Sequence, residues 1–228
     1  MTATALSSSR RLDAVDRLLL ALSLACGAIY LVTRGLPAVA GMVVVKGMST
    51  GLLAALAFRM LRDREGLILG VSLLFSALGD VFLGVNEERL FTFGLASFLI
   101  AHVLYIVLFV RSRQKPAGAS AGRKMLAALL IIYGATMFAW LWPSLGDLKL
   151  PVAAYLCAIS VMGVTAALAG FRAAWVVAGA ILFIVSDSMI AVGKFKSPIV
   201  LGNYLIWATY YIGQLCIALG FIREKNRI

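Results

Sequence analysis

The chain contains a single histidine, His102, and that scarcity removes whole classes of chemistry. A zinc hydrolase holding its metal on three histidines cannot be built from it. Cysteine is nearly as rare: Cys26, Cys157 and Cys216 each fall alone inside an apolar run, without paired spacing. No zinc ribbon or disulfide framework follows, and three free, buried thiols are expected. Charge is thin too, at 14% of residues against 62% hydrophobic, which is too apolar for a soluble domain. Segments of alternating polarity, which a membrane barrel needs, are also missing. No Ser-His-Asp or Cys-His spacing stands out, although Ser76, Ser186 and Ser188 lie near acidic residues.

What is present is a series of long apolar runs. Eight spans of roughly the ~20 residues a bilayer requires can be drawn. They cover 15–33, 38–58, 66–85, 91–110, 125–142, 151–170, 173–192 and 199–221. The fold class is therefore all-α, a polytopic membrane protein with polar tails at 1–14 and 222–228. Connections are short and carry turn chemistry at Gly35-Leu36-Pro37, Pro143-Ser144-Leu145-Gly146 and Lys196-Ser197-Pro198. The longest, Arg111 to Lys124, contains Pro116, Gly118, Ser120 and Gly122 and reads as a flexible basic loop. The start carries no cleavable signal pattern, and Asp13 and Asp16 stand just before the first span.

The net charge of +11 invites a nucleic-acid reading, but its distribution argues against one. The basic residues occupy the connections. Fifteen lie on the side that holds both termini, and five on the other: Arg34, Arg89, Lys149, Lys194 and Lys196. That asymmetry predicts cytoplasmic termini in a bacterial inner membrane. Trp140, Trp142 and Trp175 fall near span ends, as interfacial anchors do.

Against this background two carboxylates stand out. Asp80 lies in LLFSALGDVFLGV and Asp187 in GAILFIVSDSMIAV. An acid in hydrocarbon costs a few kcal/mol, so such groups face a bundle interior or a wet cavity and mark function. Each lies 14 residues from the cytoplasmic edge of its span, ~21 Å deep at ~1.5 Å per residue, so both reach one level in the outer half. Counting the same way places Lys46 of span two ~12 Å deep and His102 of span four ~16 Å from the outer boundary. Tyr105 shares a helical face with His102, and Tyr210 shares one with Gln214. These seven residues are expected to converge from five spans on a common pocket. Lys46 either neutralises an aspartate or meets substrate. A small residue before each aspartate, four spans apart, suggests two parallel four-helix halves.

The residue types favour acid–base chemistry by carboxyl groups, without metal or cofactor. The rival reading is a proton-coupled carrier, which also needs intramembrane acids. Against it, no pair of Gly/Pro-interrupted half-helices is visible at corresponding positions. SALGDVFLGV (76–85), FTFGLASFLIAHVLYI (91–106), GAILFIVSDSMIAV (179–192) and YYIGQLCIALG (210–220) together resemble the YhhN-like family, which includes the lysoplasmalogenases. The lysine in span two is also similar, although Gly47 follows it where the family commonly has proline. The resemblance implies an eight-span fold and hydrolysis of the vinyl-ether bond of lysoplasmalogens. Asp80 and Asp187 would then be catalytic. Lys46, His102, Tyr105, Tyr210 and Gln214 would bind a lysophospholipid drawn from the surrounding membrane lipid.

Overall fold

Backbone amides inside a bilayer have no water to bond, so an apolar run of about 20 residues satisfies them as helix. The computed structural model describes residues 11–34, 41–113, 119–172 and 174–226. Every long element among them is helical: α1 (Ala14–Thr33), α2 (Met42–Met60), α3 (Arg64–Val85), α4 (Glu87–Arg111), α5 (Ala121–Leu141), α6 (Lys149–Leu168), α7 (Trp175–Phe195) and α8 (Gly202–Asn226). Two short 3₁₀ turns, Trp142–Ser144 and Gly146–Leu148, join α5 to α6 where Pro143 and Gly146 occur. All eight helices are long and apolar enough to cross a membrane, and the protein is an integral membrane protein.

Several helices begin outside their apolar runs because a polar side chain caps them. Asp63 accepts from the Gly66 amide at 2.8 Å, Asn86 from Arg89 at 2.9 Å and Ser120 from Arg123 at 3.4 Å. These caps start α3, α4 and α5 two to four residues before the hydrophobic pattern does, and α8 runs five residues beyond its own. Asp13 caps α1 reciprocally with Asp16. The Asp16 amide bonded to Asp13, with Arg59 beside it, holds the Asp13 carboxyl below the ordinary carboxylate range. The Gly35-Leu36-Pro37 turn, Pro116 and Gly118 of the basic loop, and the tail positions 1–10 and 227–228 lie outside the described residues.

The end of the bundle that holds both termini is tied by ions. Arg59 bridges α2 to Asp13 and Asp16, each at 3.0 Å. Glu65 at the start of α3 takes Ser112 after α4 at 2.9 Å and Lys225 of α8.

Within the bundle, α1 packs on α2, α2 on α3 and α3 on α4, as α5 packs on α6, α6 on α7 and α7 on α8. The halves meet through α4 on α6 and α2 on α8, which are corresponding pairs under a four-helix repeat. α5 covers the rest least, leaving Leu129, Ile131 and Ile132 exposed on its outer face. Trp140, Trp142 and Trp175 are likewise exposed, whereas Trp207 is buried and donates to the Gly27 carbonyl at 2.9 Å. The three cysteines are free, but none is buried as expected: Cys26 and Cys216 are half-buried and Cys157 is exposed. Cys157 faces an apolar groove between α5 and α6.

The α7–α8 contact depends on backbone approach. A Cβ at Gly179 would stand 2.6 Å from the Gly213 carbonyl oxygen and 2.8 Å from the Ile217 amide, neither of which can yield. Gly179→Ala is expected to cost about 2 kcal/mol in thermal unfolding of the detergent-solubilised protein, despite a better helix former. Gly51→Ala, with nothing within 4 Å, is the matched control and gains up to about 1 kcal/mol. Equal stability of the two variants would contradict this packing.

Candidate active site

Asp80 sits in the penultimate turn of α3 and is 1% exposed. A carboxylate so enclosed needs donors, and two helices supply them. From α2, Lys46 Nζ lies 3.3 Å from Oδ1 and the Thr50 hydroxyl donates to Oδ2 at 3.2 Å. From α8, the Tyr210 hydroxyl donates to Oδ2 at 2.7 Å. Lys46 stands in the second turn of α2, which runs unbroken through Gly47. A Cβ there would press to 2.8 Å from Val81 Cγ2, so the glycine lets α2 lie close to α3 beside the ion pair.

Asp187 on α7 is held in the corresponding way, by α6 and α4. The Tyr155 hydroxyl donates to its Oδ2. His102 Nε2 lies 3.0 Å from that hydroxyl oxygen and 3.4 Å from the carboxylate. The other ring nitrogen faces Met162 Sδ at 3.3 Å, so the imidazole is gripped on both sides. The helices that hold Asp80, α2 and α8, correspond under the repeat to α6 and α4.

Three cavities meet at Leu83 and Ile190, and the acids border two of them. The smallest, about 30 Å³, is lined by both Asp80 and Asp187, with Lys46, Arg34 and Tyr210 in its wall. About 10–15 Å³ is enough for one water, so this space suits one or two. A second is an apolar slot of about 60 Å³ between α4, α5, α6 and α7, where Asp187 and Tyr155 sit among Phe98, Met137, Leu156 and Ile184. The third is a vestibule of about 490 Å³ at the end of the bundle away from the termini. Leu83 and Ile190 stand in the walls of all three.

Of the seven residues expected to converge, five come together: Asp80 and Asp187, with Lys46, His102 and Tyr210 beside them. Tyr105 and Gln214 instead bond to each other between α4 and α8 at 2.7 Å and line none of these cavities. Close by in sequence to Asp80, Ser76 Oγ is buried without a hydrogen-bond partner among the described residues, as is Gln214 Nε2. Ser186 and Ser188 bond to backbone carbonyls, at 3.0 and 2.7 Å, and so face away from nucleophilic work. Sequence reasoning missed Thr50 and Tyr155, since a hydroxyl in an apolar helix is ordinary. The repeat, taken literally, points to α6 for the second acid's partner, as α2 supplies the first.

The fold and site define an eight-helix membrane protein with two separately braced intramembrane carboxyl groups opening on one cavity. The chain belongs to the YhhN family, whose pattern it matches over residues 41–221. It is 38% identical over 176 residues to a lysoplasmalogenase of Mycobacterium bovis, covering 74% of this chain and 64% of that protein. It is 35% identical over 168 residues to lysoplasmalogenase TMEM86A of Bos taurus, covering 69% and 66%. Against the human lysoplasmalogenase TMEM86B it is 32% identical over 153 residues, covering 67% and 62%. The chain thus spans slightly less than two thirds of the length of these relatives. No solved structure matches it.

The Lys46–Asp80 pair gives a test of its own. Removing one member leaves a buried charge, so Lys46→Met is expected to cost about 3 kcal/mol or more. Adding Asp80→Asn should restore most of that, because no charge is then stranded. Strictly additive losses in denaturant unfolding would show that the two groups are not coupled.

Proposed function

We propose that this protein hydrolyses the vinyl-ether bond of lysoplasmalogens, releasing a fatty aldehyde and a glycerophospho-alcohol. The observation that carries the reading is that both aspartates border one water-sized cavity, while Asp187 also borders an apolar slot. Family membership and the names of the relatives support the substrate class.

A vinyl ether breaks once its β-carbon is protonated. Protonated Asp187, in the wall of the slot where the alkenyl chain would lie, delivers that proton. The carbon bound to oxygen becomes an oxocarbenium centre. Asp80, ionised and braced by Lys46, Thr50 and Tyr210, stabilises the cation and takes a proton from water as the water adds. The resulting hemiacetal collapses to aldehyde and alcohol, for a net consumption of one water. Tyr155 and His102 orient Asp187 and provide a path for its reprotonation. The pairing of two carboxyls around an oxocarbenium centre is chemically the glycosidase solution.

The test is aldehyde release from lysoplasmenylethanolamine by the purified protein. Asp80→Asn and Asp187→Asn should each lower turnover by roughly 10²–10⁴-fold, with the double variant no worse than the weaker single. A folded Asp187→Asn protein with most of its turnover would remove Asp187 from the mechanism. Proton-driven uptake into vesicles without aldehyde release would assign the carrier reading instead. Because the mechanism uses only the protein's own side chains, strong chelators should leave turnover unchanged; a loss restored by one divalent ion would overturn it.

We place the protein in a bacterial inner membrane with both termini cytoplasmic, on the fifteen-to-five division of Lys and Arg. Reporter fusions after Arg227 and within the Arg111–Lys124 connection should both read cytoplasm. A periplasmic signal at either would reverse the assignment.

A further inference from the structure

The vestibule of about 490 Å³ is lined by three cations, Arg34, Lys46 and Lys194, and by no acid among the described residues. It sits where few positive charges are expected, since the other end of the bundle carries most of them. Lys46 spends its charge on Asp80, but neither Arg34 nor Lys194 has an acidic partner among the described residues. Arg34 stacks its guanidinium 5.2 Å above the Tyr30 ring, and its Nε is buried with no hydrogen-bond partner among the described residues. Lys194 rests 4.1 Å over the Phe91 ring. Arg34 is half-buried and Lys194 exposed, and two like charges lining one concave space repel each other unless an anion lies between them. An arginine with a buried, unanswered N–H is prepared for an oxyanion, which its planar fork meets with two hydrogen bonds.

The position of this charge matters. Arg34 and Lys46 also line the small cavity that holds both aspartates, and Leu83 and Ile190 separate it from the apolar slot. A molecule with a long chain in the slot would place its polar end in the vestibule. We infer that the vestibule is the phosphodiester subsite for a lysophospholipid head group, with Arg34 and Lys194 as its specificity-determining residues. The inference rests on the hydrolase reading for the identity of the lipid, but the binding it describes can be measured without turnover.

The probe is a saturated 1-O-alkyl lysophosphatidylethanolamine, which has no vinyl ether to cleave, compared with the uncharged 1-O-alkylglycerol of the same chain. Both are titrated against the full-length protein in detergent. Wild type should bind the phosphate-bearing probe at least tenfold more tightly, as a charge-assisted pair of hydrogen bonds warrants, roughly. Arg34→Gln and Lys194→Gln should each shrink that preference several-fold and together abolish it, with alkylglycerol binding unchanged. Unchanged alkylglycerol binding also certifies that the variants are folded. Lys149→Gln, at the same end but outside the vestibule, should keep the full preference. A wild-type protein without preference, or a double variant that retains it, overturns the assignment. Since no bond is broken in this measurement, its failure is distinct from failure to release aldehyde from the vinyl-ether substrate.

Discussion

The cost of placing a carboxylate among hydrocarbon side chains governs this structure. Neither aspartate can be left to solvent or lipid, so each must recruit donors from helices other than its own. Asp80 draws on α2 and α8, and Asp187 on α4 and α6. The helices that must approach for this purpose are the ones through which the two halves of the bundle meet. Bracing the acids and joining the halves are one packing problem. The glycine contact between α7 and α8 serves it, since it sets how near Tyr210 can stand to the core.

The two braces are alike in placement and unlike in chemistry. One supplies an ammonium, a phenol and a hydroxyl; the other a phenol and an imidazole. The two carboxyl groups thus stand in different surroundings, which is what a division between proton donor and charge stabiliser requires. The cavities extend the difference, because only Asp187 also faces the apolar slot.

The acids were legible in the sequence because a charge inside a long apolar run contrasts with everything near it. Depth counting then placed Asp80 and Asp187 at one level, and the structure puts both in the wall of one cavity. Lys46 and His102 were legible on the same contrast. Tyr105 and Gln214 share helical faces with His102 and Tyr210, yet spacing along a helix does not reveal which neighbour that face meets. Tyr155 and Thr50 carry no such contrast, since hydroxyls are routine in membrane helices. Arg34 was hidden for another reason: at the end of a span it looks like any residue that sets topology. Helix ends shifted where Asn86 and Ser120 cap in water, which hydropathy does not register.

Leu83 and Ile190 form a thin partition between an oily slot and a polar vestibule, with the acids at its edge. Under the proposed hydrolysis, the cut molecule would separate into two parts with opposite solubilities. The aldehyde would remain with the lipid, and the glycerophospho-alcohol would pass into water. Each product then dilutes into a phase the other avoids, and their recombination on the enzyme becomes a rare meeting. The site would run in one direction through the partition of its products between two solvents, with no moving part required to enforce it.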